Sequence, residues 1–181
     1  MCCNGTLFTY ADIDKGEKLD ELFEAEIVEI NHSRKIGFSL PCSYLNGCVC
    51  SIYNSEKPKR PLVCGKFKCK LLLKQEANQA SFDEAILLIE KTKQMAKKND
   101  SLLSETFPEL SPLSTAKKIK ALKTMLENAP DQFEFRKQFG SLLISSFVFE
   151  KWLNQHFVFS KKRTLLFNTL KSATLKSVLY F

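Results

Sequence analysis

The chain has 181 residues, a net charge of +7 and seven cysteines, and 44% of its residues are hydrophobic. That length is enough for one ordinary domain or two small ones. No uncharged run approaches the roughly 18–20 residues that span a bilayer, and no basic region followed by an apolar run opens the chain, so we expect neither a membrane span nor a secretory signal. Together with the odd number of cysteines, this predicts free thiols in a reducing compartment.

The first 20 residues predict a loosely held arm with an edge strand near residues 7–10. A small all-β unit follows between residues 22 and 74, where four short apolar runs are separated by polar breaks that contain Gly or Pro. Asn46-Gly47 is a strong turn signal inside this unit. The predicted strands are residues 22–31, 36–40, 48–53 and 63–73.

The charge changes sign inside this β unit. Residues 1–33 contain eight acidic and two basic side chains, whereas residues 34–74 contain nine basic side chains and one acidic side chain. In the predicted fourth strand, Lys66, Lys68 and Lys70 would form a row about 6.8 Å apart at the rise of a strand, near the phosphate spacing of an extended nucleic acid. A cationic row beside aromatic rings predicts a surface that binds single-stranded nucleic acid.

The second half of the chain predicts a helical domain. Residues 81–84, with Ser81 and Glu84 at their ends, are a capping-box signal for a first helix, and Asn99 is its predicted end. The remaining predicted features are a linker at 100–114, a second helix from Ser114 or Thr115, a third helix with Pro130 in its first turn and Gly140 at its end, and a central helix at 141–157.

A basic amphipathic tail is predicted at residues 161–181, because no acidic residue occurs after Glu150 and lysines alternate there with apolar side chains. Three roles for this tail stay open. It could lie on an anionic membrane, it could track RNA, or Lys161-Lys162-Arg163 could act as a nuclear-targeting patch.

Three short motifs in the β unit carry a family resemblance: AEIVEI at 25–30, GCVCSI at 47–52 and VCGKFKCKL at 63–71. In this order and spacing they resemble the S1 RNA-binding domain, a five-stranded OB-type barrel, and most of all the first S1 repeat of the large multi-S1 rRNA-biogenesis proteins of the nucleolus. The likeness covers about residues 20–75. Ile36 and Phe38 flank Gly37 where the family often has differently placed aromatics, and Cys50 replaces a common His, which favours backbone binding over base-specific binding.

We therefore predict an α+β protein with an N-terminal five-stranded S1/OB-like β-barrel (residues 1–76), a small helical domain (77–160) and the basic tail (161–181). The resemblance implies non-catalytic RNA binding in ribosome biogenesis (rRNA processing) or translation. It also implies a place in the nucleus or nucleolus, with the cytoplasm as the alternative. The predicted RNA-binding residues are Arg34, Lys35, Phe38, Tyr44, Tyr53, Lys57, Lys59, Arg60, Lys66, Lys68 and Lys70.

Catalysis is not expected, because the sequence contains no Gly-rich phosphate loop, no paired carboxylates on a basic strand and no nucleophile motif. We likewise expect no cofactor and no small-molecule substrate. A zinc site is a weak alternative, since the spacings of Cys42, Cys48, Cys50, Cys64 and Cys69 do not match two close pairs of ligands.

A protein-interaction subunit is the main alternative function. The helical half would then bind a partner, and the barrel would serve as a scaffold. Aromatic side chains are dense in this half, although rings of this kind more often form the core of a helical domain. The aromatic residues concerned are Phe133, Phe135, Phe139, Phe147, Phe149, Trp152, Phe157 and Phe159.

Overall fold

The computed structural model describes residues 1–14, 16–17, 27–30, 35–56 and 59–158, with only the backbone described at 27–30 and at 35. The strands are β1 (Tyr10–Asp12), β2 (Ile27–Ile30), β3 (Lys35–Ser39), β4 (Leu45–Asn46) and β5 (Val49–Cys50). The helices are α1 (Leu62–Lys66), α2 (Lys70–Glu76), α3 (Phe82–Thr106), α4 (Thr115–Asn128) and α5 (Gln132–His156), with a 3-10 turn at Pro108–Leu110.

The strands form two small antiparallel sheets. In the larger sheet β3 lies between β1 and β2, and Phe38 of β3 is opposite Ala11 on one side and Ile27 on the other. Strands β4 and β5 form a short hairpin, and Gly47 between them has a φ of +59°. This hairpin confirms the turn predicted at Asn46-Gly47, since glycine adopts positive φ at little steric cost.

The predicted five-stranded barrel is wrong. The described residues form a three-stranded sheet and a two-stranded hairpin, and most of the regular structure is helical. The predicted second strand is confirmed as β3, and the third is reduced to β5. The first survives as β2, with residues 22–26 and 31 outside the described part of the chain.

The predicted fourth strand is replaced by the helices α1 and α2, which are separated by residues 67–69. Tertiary contacts explain this difference, because strand propensity yields to packing context. Leu71 is buried in the same core as the long helices, and the backbone N–H of Lys70 donates to the Phe157 carbonyl at the end of α5 over 3.0 Å.

The first long helix begins where its capping signal predicts. The Ser81 side chain accepts from the Glu84 N–H, and the Glu84 carboxylate accepts from the Ser81 N–H at 2.7 Å. The predicted end at Asn99 and the linker over 100–106 are wrong, because α3 continues to residue 106. Asn99 is buried there, and its side-chain amide donates to the Met95 carbonyl at 3.0 Å.

The second and third helices also begin near their predicted starts. Ser114 precedes α4, and Asp131, just after Pro130, caps α5 by accepting from two backbone N–H groups. Gly140 does not end a helix as predicted. Instead α5 continues through it with a kink at Phe139, whose φ and ψ are −110° and 17°.

Helices α3 and α5 pack antiparallel along their length, and α4 lies against both. Three contacts define the antiparallel pair: Trp152 Nε1 donates to Thr92 Oγ1 at 2.8 Å, Ser146 donates to Asn99 at 3.4 Å, and the rings of Phe107 and Phe139 have centroids 5.0 Å apart. The core of this bundle also includes Leu7 and Leu71, so residues from the first half of the chain pack into it.

One buried charge joins α4 to α3. Lys118 is 2% exposed, and its Nζ lies 2.8 Å from Asp100 Oδ1 and 2.7 Å from Ser104 Oγ. These partners offset the cost of burying the ammonium group. No helix within the described residues is long and apolar enough to cross a membrane.

Candidate functional site: a cavity between the sheet and the helices

A cavity of about 810 Å³ lies where the β unit meets the helices. Its walls come from four parts of the chain: the N-terminal arm (residues 1–14), the strands and hairpin at 38–53, the segment 60–67, and the facing sides of α4 and α5. Most of the lining side chains are apolar. Small-molecule sites in proteins have volumes of roughly 300–1,000 Å³ and a similar apolar lining.

The N-terminal arm is fixed against α4 by close backbone contact. The Ala116 N–H donates to the Gly5 carbonyl at 3.1 Å. Gly5 has a φ of +72°, and a Cβ at this position would lie 2.5 Å from the Cβ of Ser114. Only glycine fits here, because any side chain would clash and would also be strained at this φ. The prediction of a loosely held arm is therefore wrong for residues 1–14.

The β wall of the cavity is a small core of its own. Phe38, Leu40 and Ile52 are buried together and line the cavity on one side. At its edge, the rings of Phe8 and Phe67 meet edge to face with centroids 5.4 Å apart. Such aromatic pairs add stabilisation beyond the buried area of the rings, so the arm and the segment after α1 close the wall together.

Five charged side chains lie around this apolar lining. Lys123 of α4 donates to the carboxylate of Glu150 on α5, so these two charges balance each other. Arg60, Lys120 and Asp12 are the other charged residues of the lining. The cavity therefore combines a mainly apolar lining with a few charged side chains.

The Tyr10 hydroxyl at the β side of the cavity is neutral at pH 7. Burial, and to a smaller extent the charge of Asp12, raises the pKa of Tyr10. The Tyr10 hydroxyl is therefore protonated and can donate a hydrogen bond.

Five of the seven cysteines line the cavity, and all seven are free thiols. Burial raises the pKa of Cys2 and of Cys42. Part of Cys64 is exposed, yet burial among protein atoms raises the pKa of its thiol to about 11. Protonated thiols are weak nucleophiles and weak metal ligands, so Cys2, Cys42 and Cys64 act as small apolar groups. The five cysteines that line the cavity are Cys2, Cys3, Cys42, Cys50 and Cys64.

Zinc has no candidate ligand set in the part of the chain that the structure describes. No group of three or more His, Cys, Asp or Glu side chains there is placed to hold a metal ion.

The three lysines predicted as a row along a strand do not form one. Lys66 ends α1, Lys68 lies between the helices, and Lys70 begins α2, so their side chains leave the backbone in different directions. Each also contacts protein atoms, which competes with phosphate binding. The contacts are Lys66 Nζ with Asp14 Oδ2 at 3.4 Å, Lys68 Nζ with Glu76 Oε1 at 2.8 Å, and Lys70 Nζ with the Asn154 carbonyl at 2.6 Å.

The predicted stacking rings have different environments. Phe38 is 2% exposed and belongs to the wall of the cavity, so it cannot stack on a base. Tyr44 is half-buried against the same small core. Tyr53 is 61% exposed, and the guanidinium carbon of Arg60 lies 4.3 Å from its ring centroid, which is a cation–π contact. Of the predicted set, Tyr53 and Arg60 are thus brought together.

The structure describes only some of the remaining predicted RNA-binding residues. Lys59 is exposed beside Arg60. Arg34, Lys57 and the side chain of Lys35 lie outside the described residues, as does the basic tail at 161–181.

Sequence reasoning missed most of the cavity, because its walls come from distant parts of the chain. The arm contributes Leu7 and Phe8, and α4 contributes Ile119 and Lys120. One available signal was the spacing of Lys117, Lys120 and Lys123, which places three lysines on one helix face. Lys117 confirms the direction of that face, since its Nζ donates to Ser39 Oγ of the β unit at 2.6 Å.

Comparison of the chain with protein-family models, with curated proteins and with solved structures finds no match.

Proposed function

We propose that this protein is a non-catalytic binding protein that holds a small apolar molecule in the cavity between its sheet and its helices. The observation that carries the proposal is the cavity itself, with its volume of about 810 Å³ and a mainly apolar lining. Burial of a ligand's apolar surface in such a site supplies the binding free energy. No small-molecule substrate was expected from the sequence. The cavity could not be predicted from it, because the lining residues are far apart in the chain and meet only in the folded protein.

The nature of the lining supports binding rather than chemistry. The raised pKa values of Cys2, Cys42 and Cys64 keep their thiols protonated at neutral pH. The lysine and glutamate that face each other, Lys123 and Glu150, are paired with one another. The cavity lining therefore provides an apolar surface for a bound molecule and few reactive groups.

The direct test is a fluorescence titration of the full chain with N-phenyl-1-naphthylamine, an uncharged apolar probe. We expect one site per chain with a dissociation constant on the order of 10 μM, from about 0.3–0.5 kcal/mol per non-hydrogen atom of the probe. Ala116→Leu, on the cavity side of α4, should weaken binding at least about fivefold by filling space.

Ala121→Leu is the matched control, because Ala121 is on the same helix and outside the cavity lining. It should leave the dissociation constant unchanged. Circular dichroism of both variants shows whether they keep the fold. Absence of a saturable site in the folded wild-type chain, or equal weakening by both variants, would exclude the cavity as a ligand site.

RNA binding is a second candidate function, and one specific observation favours it. Tyr53 and Arg60 form an exposed aromatic–cation pair beside the exposed Lys59, and such pairs stack on bases in single-stranded nucleic-acid sites. A salt titration of binding between the full chain and a single-stranded RNA oligonucleotide tests it. Tyr53→Ala should weaken binding about tenfold. Tyr44→Ala, which removes a half-buried ring, is the control variant. Equal affinity of the wild type and of Tyr53→Ala for the RNA would show that the Tyr53 ring takes no part in binding.

A protein partner of the helical half is also supported by exposed apolar side chains. Ile144 and Val148 lie one turn apart on α5, and Phe133 at its start is 73% exposed. A double variant, Ile144→Lys with Val148→Lys, should lose any partner that the wild type binds, because charged groups cannot be buried cheaply in an apolar interface. Lys137→Glu on the same helix is the control for a nonspecific charge effect.

A further inference from the structure

We infer that Cys3 of the N-terminal arm and Cys42 of the β unit form a modification site, at which a peroxide converts the two thiols into one disulfide. The inference goes beyond the proposed function, since it does not depend on a ligand in the cavity. Both residues line the cavity, and both are free thiols in the structure. A bond between them would join the arm covalently to the β unit.

The backbones of the two cysteines are in direct contact. The Cys42 N–H donates to the Cys3 carbonyl, and the distance from nitrogen to oxygen is 2.8 Å. A Cα atom lies about 2.4 Å from the carbonyl oxygen of its own residue and about 1.5 Å from its own nitrogen. The two Cα atoms are therefore at most about 6.7 Å apart. Disulfides join residues whose Cα atoms are about 4.4–6.8 Å apart, so this pair meets that condition.

The two thiols also lie near each other and differ in their access to solvent. Burial is the main cause of the raised pKa of Cys42, and a charge on the Cys3 thiol adds to it, which requires the two groups to be close. Cys3 is exposed, whereas Cys42 is half-buried. An oxidant from solvent therefore reaches Cys3 first, and Cys42 is the neighbour that can react with the oxidised sulfur.

The oxidation takes two steps. The Cys3 sulfur attacks one oxygen of hydrogen peroxide, so that the O–O bond breaks, a sulfenic acid forms and one water leaves with the thiol proton. The Cys42 sulfur then attacks the Cys3 sulfur, so that the S–S bond forms, the S–O bond breaks and a second water leaves. The two thiols lose two electrons in total, and the peroxide gains them.

The experiment treats the folded full chain with hydrogen peroxide, blocks the remaining thiols with N-ethylmaleimide and digests the product with trypsin without reduction. Trypsin cleaves after Lys or Arg unless Pro follows, so Cys3 lies in the peptide 1–15, Cys42 in 36–59 and Cys64 in 60–66. We expect the number of blocked thiols to fall by two and one linked product to join 1–15 to 36–59. Fragmentation of this product by mass spectrometry should place the bond between Cys3 and Cys42.

Cys3→Ser and Cys42→Ser should each abolish the linked product. Cys48→Ser is the matched control, because Cys48 is an exposed thiol of the same tryptic peptide as Cys42 and lies outside the cavity lining. It should leave the yield of the linked product unchanged. The peptide map of the wild type tests the inference even if one of the variants is poorly folded.

The melting temperature gives a second readout. The linked wild-type protein should melt about 5–10 °C higher than the reduced protein, because the disulfide closes a long loop of the unfolded chain. Dithiothreitol should reverse this shift.

Three results would overturn the inference: an unchanged number of blocked thiols after peroxide treatment, a bond from Cys2 or to Cys64 in place of this pair, or a linked protein that melts no higher. Failure of N-phenyl-1-naphthylamine to bind would overturn the proposed function alone, because the disulfide needs no ligand.

Discussion

The molecule has two hydrophobic cores that differ in how much of each borders the cavity. The core of the helices is closed around Leu103 and Phe149, which are fully buried and lie outside the cavity lining, and only its members at one side, Leu7, Ile119 and Leu153, border the cavity. The small core of Phe38, Leu40 and Ile52 is also buried from solvent, but it forms one wall of the 810 Å³ cavity. Burial alone therefore does not distinguish a residue that only stabilises the fold from one that also shapes a site.

The difference follows from packing. In a closed core each side chain has neighbours on all sides, and its removal leaves a new void. In the small core one side already lacks neighbours, so the dispersion contacts are incomplete before any change is made. A ligand in the cavity would supply the missing contacts, and this gives a measurable link between ligand binding and the stability of the β unit.

The largest effect is expected in the closed core. Phe149→Ala should lower the free energy of unfolding by about 3–5 kcal/mol, because it removes a fully buried ring and leaves a void. Urea unfolding followed by circular dichroism measures this change. A loss of less than about 1 kcal/mol would show that the helical core is not closed around this ring.

Gly5→Ala should destabilise the protein by about 2–4 kcal/mol, although it adds only a methyl group. The new Cβ would lie 2.5 Å from Ser114 Cβ, at a φ of +72° that is strained for alanine. Because this contact holds the N-terminal arm in the cavity wall, the probe affinity should fall as well. Gly16→Ala is the comparison for backbone strain alone, since Gly16 also has a positive φ and a Cβ there meets no atom within 4 Å.

Phe38→Ala tests whether removing a ring costs less stability in the small core than in the core of the helices. Its cost should be about 2 kcal/mol, near the transfer free energy of the ring alone, because the cavity already borders it. The enlarged cavity should also admit bulkier apolar probes. If Phe38→Ala and Phe149→Ala cost the same in unfolding experiments, the two cores are equivalent and the comparison fails.

The smallest effect concerns a helix start remote from the cavity lining. Hydrogen bonds from the Ser81 backbone and side chain lower the pKa of Glu84 below its ordinary 4.5. A lowered pKa in the folded state adds stability above the ordinary value, and this stability is lost as pH falls through the lowered pKa. Glu84→Gln should therefore reduce the melting temperature slightly at pH 7, and the difference from wild type should shrink as pH falls below 4.5 and vanish once Glu84 is protonated in the folded state. A difference that is constant with pH, or a changed probe affinity, would contradict this explanation.

The starts of the helices could be predicted from sequence because their signals are local. Ser81 with Glu84, Ser114 and Pro130 each lie within a few residues of a helix start that the structure contains. Their ends were harder. Asn99 is favoured at a helix end by propensity, but its burial against Ser146 of α5 keeps it inside a longer helix.

The β unit could not be predicted equally well, because strands depend on distant partners. Alternation at residues 63–71 is compatible with a strand, but the helical core takes up Leu71 and fixes the segment as helices. The cavity was out of reach for the same reason. Its lining includes Leu7, Phe38 and Ile119, and no local pattern relates three positions so far apart in sequence.

Methyl NMR of the full chain, titrated with dodecanol, tests directly whether an apolar molecule occupies the cavity. We predict saturable shifts at the methyl groups that line the cavity, such as Leu7, Leu40 and Ile52, and none at Leu103 or Leu122 of the closed core. Shifts confined to exposed side chains such as Leu87 and Ile144, with the cavity methyl groups unchanged, would show that the apolar molecule binds the surface and would contradict the account.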